Sequence, residues 1–147
     1  MPTLTEAAAL ATADQGLAVV STLRADATIQ SSLINAGVLP HPATGAPVLA
    51  FVTYGPVKLA NLRERPQIAV TFRSGWQWAT VEGRAELAGP ADPQPWLTDP
   101  DRLRVLLRDI FAAAGGTHDD WDTYDRVMRE QGRTAVLIDP VRVYSNG

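Results

Sequence analysis

The sequence contains no cysteine. That removes disulfides, thiolate metal sites and a thiol nucleophile from consideration. Histidine is nearly as scarce: His41 and His118 are the only two, both in loop-like contexts where a surface role is expected. HExxH and GxSxG patterns are missing, so metalloprotease and serine-hydrolase chemistry have no foothold. No apolar run approaches the roughly 20 residues needed to cross a bilayer. No block of like charge is present, and the net charge is −3, without the basic stripe of a nucleic-acid binder. The start, Met1-Pro2-Thr3-Leu4-Thr5-Glu6, lacks the basic and apolar regions of a secretion signal. These absences lead to the expectation of a cytoplasmic protein with neither nucleic acid nor membrane as partner.

What is present fits one domain, residues 1–147. Thr5 to Gln15 reads as a helix capped by Thr5 and ended by Gly16. Strands are expected at 17–23, 29–38 and 47–53, then a short helix over 57–65 that stops before Pro66. Two further strands follow at 67–73 and 76–87. Within the second, Trp78, Thr80, Glu82, Arg84 and Glu86 share one face. Gly89 to Pro95 is a proline-rich connector. Helices are expected over 98–114, with Leu103, Leu106, Leu107 and Ile110 at helical spacing, and over 119–130, with Trp121, Tyr124 and Met128 on one face. Strands 134–138 and 141–144, separated by Pro140, end the chain. Six or seven mostly antiparallel strands with a few short helices make the expected class mainly β, a barrel with helical excursions.

Few residues offer catalysis of their own. Glu82 and Glu86 read as a solvated strand face, and Asp119, Asp120 and Asp122 as helix-start carboxylates that favour the dipole. Such a thin inventory suits a protein whose organic cofactor carries the electron chemistry. Three segments are candidates to hold one. Thr53-Tyr54-Gly55-Pro56-Val57-Lys58 takes a strand through a glycine turn into a helix, where unpaired N–H groups, a threonine and Lys58 suit a phosphate. The alternative for this segment is a loop with an exposed lysine. Gln30-Ser31-Ser32 can hydrogen-bond a ring edge or simply form a polar strand face. Trp76 and Trp78, two apart, can stack on a planar ring, fill an interface or pack in the core.

Four pieces of the chain resemble a known family. They are Leu17–Leu23 with Gln30-Ser31-Ser32; Lys58-Leu59-Ala60-Asn61-Leu62-Arg63-Glu64-Arg65-Pro66 running on to Val70; Trp76-Gln77-Trp78 running on to Gly83 and Ala85; and His118–Tyr124 with Val143-Tyr144. Together they resemble the flavin- and deazaflavin-dependent oxidoreductases, B group, of the pyridoxamine 5'-phosphate oxidase-like FMN-binding split-barrel superfamily, over nearly the whole chain. The resemblance implies a homodimeric split β-barrel with two cofactor sites at the subunit interface. It implies an enzyme that uses the deazaflavin coenzyme F420 to reduce a small electron-poor substrate such as an enone, quinone or tetrapyrrole. FMN as cofactor, or cofactor binding without turnover, are the alternatives. Lys58 matches the phosphate-binding position, with Thr53, Tyr54 and Asn61 nearby. Gln30, Ser31 and Ser32 match the strand bordering the ring, and Trp76 and Trp78 match positions that reach a site from the partner. One departure stands out. Relatives that hold the deazaflavin carry a basic residue two positions before the lysine, where this chain has Pro56; Arg63 or Arg73 is the expected compensation.

Overall fold

Alternation decides which side of each strand faces inward. Along Gln67–Ser74, Ile68, Val70 and Phe72 are buried, while Gln67 and Arg73 are exposed. A computed structural model describes every residue of 1–147 except Thr98. In it six strands, β1 Leu17–Leu23, β2 Ile29–Pro40, β3 Pro47–Thr53, β4 Gln67–Ser74, β5 Gln77–Ala88 and β6 Thr134–Ser145, close into a barrel in the order β1-β2-β3-β6-β5-β4. Every pairing is antiparallel. The expected mainly β barrel with short helices is therefore the observed architecture.

Two apolar clusters share β3 and β6. Leu49, Phe51, Val136 and Ile138 point into the barrel with Val20, Val70, Phe72 and Val81. Val48, Ala50, Ala135 and Leu137 point outward, where Leu106, Leu107 and Ile110 of helix α3 (Pro100–Ala113) cover them. The outer face of β3 is thus buried because a helix lies over it, which is why its sequence reads as a continuous apolar run. Helix α4 (Trp121–Glu130) packs against α3 through Tyr124, whose hydroxyl donates to the Leu107 carbonyl at 3.1 Å. Burial pushes the Tyr124 phenol up to about 12.

Several boundaries differ from the sequence expectation, each for a local reason. Helix α1 spans Leu4–Ala9 and is capped by Thr3, not Thr5. Thr3 and Glu6 form a reciprocal capping box, and a single 3-10 turn at Thr12–Asp14 follows. Helix α2 covers Pro56–Glu64, with proline at its first position, where the missing N–H costs nothing. Helix α3 starts at Pro100 behind the Asp99 cap, so part of the expected start, Thr98, lies outside the described residues. Trp76 falls in the β4–β5 turn. The two C-terminal strands are one. Pro140 faces Gly83, Arg142 faces Glu82, and Val141 is the extra residue of a bulge between them. A bulge tolerates the proline because the ladder is already broken there.

Close approaches fix the helices on the barrel. A Cβ on Gly37 of β2 would lie 2.3 Å from the carbonyl carbon of Ala113, at the end of α3. Gly37→Ala should therefore push α3 off the barrel, at a cost of about 1–3 kcal/mol. Denaturant unfolding of the two proteins measures it, and an unchanged midpoint would show that α3 seats without this contact.

Candidate functional site

A cleft of about 630 Å³ opens between the β3–α2 turn and helices α3 and α4. Its floor begins where β3 ends. Thr53 Oγ1 accepts the Gly55 N–H at 3.1 Å and turns the chain into α2, whose first turn has no side-chain cap. Lys58, in that turn, is 7% exposed. Its ammonium donates to Ser32 Oγ of β2 at 2.7 Å and lies 3.7 Å from the position a Gly55 Cβ would take. Among the described residues no carboxylate lies within 4 Å of it. Burial alone holds its pKa below the ordinary lysine value.

Beneath this lysine the polar residues are joined in series. Asn61 Nδ2 donates to Thr22 Oγ1 at 3.1 Å, and Thr22 Oγ1 donates to Gln30 Oε1 at 3.2 Å. The three residues of Gln30-Ser31-Ser32 are thereby separated by strand alternation. Gln30 and Ser32 join the Lys58 side, while Ser31 pairs with Ser21 at 2.9 Å on the opposite face. Thr53, Tyr54 and Lys58 line the cleft. Trp76, 94% exposed, and Trp78, set edge-on to Tyr144 at 6.1 Å, line a different groove with Leu17, Val19 and Arg73. Leu33 borders both hollows.

The second cation of the cleft is Arg133, which sequence reasoning missed. Helix α4 ends in a Schellman motif. Gly132, at φ 61°, donates to the Arg129 carbonyl at 3.1 Å, and Arg133 N–H donates to the Met128 carbonyl at 3.0 Å. This fixes Arg133, and its guanidinium lies over the Tyr54 ring, 4.1 Å from the centroid. No carboxylate lies within 4 Å among the described residues, and burial lowers its pKa. Gly132 directly after the amphipathic segment was the readable signal for that motif. The expected compensators lie elsewhere. Arg63 is held by Asp92 through two bonds of 2.8 and 2.7 Å, and Arg73 donates to the Gly75 carbonyl at 3.0 Å on an exposed turn. A bidentate carboxylate leaves Arg63 no fork for another anion.

The histidines are not simple surface residues. His41 Nδ1 accepts the Ala43 N–H at 3.0 Å, its Nε2 donates to Glu86 at 2.6 Å, and its ring meets Trp96 edge-on at 5.0 Å. Glu86 is therefore engaged, as is Glu82, which accepts the Tyr144 hydroxyl and lies 3.7 Å from Arg142. Both glutamates stay exposed over about 40% of their side chains, as a solvated face requires, and long residues of neighbouring elements reach onto that face. His118 lines the cleft amid Phe111, Trp121 and Tyr124. Asp120 does cap α4, accepting the Thr123 N–H at 3.1 Å. An ion pair from Arg108 to Asp125, which Arg104 joins at 3.5 Å, clasps α3 to α4. It holds the Asp125 carboxyl below the usual aspartate range.

A closed six-stranded antiparallel barrel with a few short helices defines a split-barrel fold, and this one carries two carboxylate-free cations on one cleft. The model of the pyridoxamine 5'-phosphate oxidase family matches residues 4–147, and the chain belongs to that family. Solved structures agree on the fold. A conserved hypothetical protein from Mycobacterium tuberculosis aligns with a TM-score of 0.68 at 17% identity, covering 99% of this chain and 84% of that one. An F420 reductase aligns with a TM-score of 0.62 at 16% identity, covering 98% of each. A pyridoxamine 5'-phosphate oxidase-related, FMN-binding protein from Nostoc punctiforme aligns with a TM-score of 0.56 at 14% identity, covering 89% and 73%. Among the described residues no helix is long and apolar enough to cross a membrane.

A buried lysine with no counter-charge opposes folding while it is charged. Its folded pKa lies below its unfolded one, so the penalty is complete at neutral pH and fades as pH rises through the folded value. Lys58→Met should therefore raise the melting temperature of the ligand-free protein at pH 7, with a smaller gain under alkaline conditions. Thermal unfolding across pH checks both; a lower melting temperature would mean that the Ser32 contact outweighs the desolvation.

Proposed function

We propose that this protein binds a flavin-type cofactor by its phosphate in the Lys58 cleft and uses it to reduce a small electron-poor organic substrate, with coenzyme F420 as the cofactor. The observation that carries this reading is the pair of desolvated, carboxylate-free cations, Lys58 and Arg133, on one cleft. Such charges suit an anion that arrives with the ligand. The volume lies within the roughly 300–1,000 Å³ of small-molecule sites. When bound, the reduced ring supplies the hydride. The chain's own residues bind and orient it: Lys58 and Arg133 the phosphate, Thr53 and Tyr54 the turn around it, Ser32 the lysine itself. Asn61, Thr22 and Gln30 stiffen the strand edge beside the ring. Membership of the oxidase family and likeness in fold to an F420 reductase support an oxidoreductase of the B group.

FMN is the second reading. Pro56 stands where a further basic residue would help hold an acidic tail, and two cations suffice for a single phosphate. Fluorescence titration of the ligand-free protein with F420 beside FMN tests the choice. Tight F420 binding with weak FMN binding is expected. Preference for FMN moves the protein to the flavin branch, and binding of neither removes the oxidoreductase reading. Lys58→Ala should weaken the preferred cofactor by about 1.5–3 kcal/mol, a factor of about 10 to 150.

The homodimer belongs to the same proposal. Val19 and Leu33 are cross-strand partners on the outer face of β1 and β2, 43% and 63% exposed, with Leu17 beside them. An apolar barrel face of this kind fits a second copy of the chain. Covering it would bring the partner's exposed tryptophan groove towards the Leu33 edge of the cleft. Leu33→Arg should convert dimer to monomer in light scattering, and a mutant that stays dimeric places the interface elsewhere.

A further inference from the structure

The α3–α4 wall of the cleft is apolar apart from three residues, and two of these are already committed. The Thr123 hydroxyl donates to Asp120 at 2.6 Å, and the Tyr124 hydroxyl donates to the Leu107 carbonyl at 3.1 Å. The third is His118. Its Nδ1 accepts the Asp120 N–H at 3.0 Å. A nitrogen that accepts carries no proton, so the ring is the neutral tautomer with its proton on Nε2. Among the described residues Nε2 meets no acceptor; Asp119, exposed, lies 4.0 Å from the other nitrogen. Phe111, Trp121 and Tyr124 surround the ring at centroid distances of 6.3, 5.9 and 5.6 Å and fix its plane.

We infer that His118 is the hydrogen-bond donor by which this cleft recognises a neutral oxygen, of carbonyl or quinone type, on a planar ring bound against the α3–α4 wall. This deepens the proposed function and rests on it. The cleft separates two kinds of recognition. Lys58 and Arg133 take negative charge beside the β3–α2 turn, whereas the helical wall offers one neutral N–H among apolar groups. A neutral donor on an apolar wall suits an uncharged acceptor, because an anion there would lose its hydration without a counter-charge. The same tautomer argues against metal ligation through Nε2, since that nitrogen is protonated. The oxygen belongs either to the cofactor ring or to the reducible substrate, and the two sources separate experimentally.

Long-range proton–nitrogen NMR of the protein labelled with nitrogen-15 reads His118 directly. The expected spectrum shows Nδ1 unprotonated and Nε2 protonated at pH 7; the opposite tautomer overturns the proposal. The His118 nitrogen signals are then followed on adding F420, FMN and duroquinone, each alone and in pairs. A shift with a cofactor alone assigns the oxygen to the cofactor ring, and a shift only with the quinone assigns it to the substrate. Ligands that bind by fluorescence yet leave His118 unmoved overturn the proposal while the cofactor reading stands. Failure of both cofactors to bind overturns the cofactor reading, and the quinone-alone arm still decides the role of His118. His118→Phe should weaken the ligand identified in this way about tenfold, and His118→Gln, which keeps an N–H donor, should recover part of that loss. Equal effects of both variants, with unchanged melting temperatures, would also overturn it.

Discussion

Closure of the barrel is the constraint on which everything else rests. Strand β1 pairs with β2 along one edge and with β4 along the other, so the sheet has no free edge to satisfy by other means. Closure fixes the alternation of every strand at once, since a one-residue slip anywhere would turn apolar residues outward all round the ring. It also decides where polar residues can gather. Thr22, Gln30 and Ser32 face inward near one end of β1 and β2; from α2, Asn61 donates to Thr22 and Lys58 to Ser32. The helix that closes this barrel mouth sets Leu59 and Leu62 into the core and brings the buried polar groups of Lys58 and Asn61 beside them.

The charged groups around the molecule divide by whether they are answered. Arg63, Arg104 and Arg108 each meet an aspartate, and these pairs tie the connector to α2 and α3 to α4. Lys58 and Arg133 do not, although burial weakens the charged form of both. Two desolvated cations without a carboxylate partner on one cleft place an electrostatic demand in one location. That contrast, more than any single residue, distinguishes the cleft from the other hollows of the surface.

Much of the barrel could be read from the sequence. β1 and β3 begin and end where expected because turn residues bracket clear apolar patterns. The single C-terminal strand could not, because proline ordinarily ends a strand and the compensating Val141 bulge is set by its partner β5. The Thr3 cap was readable, since Glu6 stands three residues on, but Thr5 offered a competing start. Lys58 could be found from the strand–turn–helix around it. Arg133 could not, as its approach to Tyr54 depends on how two distant turns meet in space. Trp76 and Trp78 sit together as expected, yet within one chain they face a separate groove; periodicity places residues on a face without saying which hollow that face borders.

The α3–α4 pair is secured differently from the barrel it leans on. Tyr124 is the one buried residue of α4 among those described; Met128 and Trp121 pack against the core and Phe111 while only partly covered, and the Arg108–Asp125 pair adds a charged clasp. Backbone amides in such a segment open to solvent well before those of a closed sheet. The wall bearing His118 therefore has a stability of its own, lower than that of the whole molecule. Damage to the clasp at Asp125, which does not itself line the cleft, would be felt there as a loss of order while the barrel remained folded.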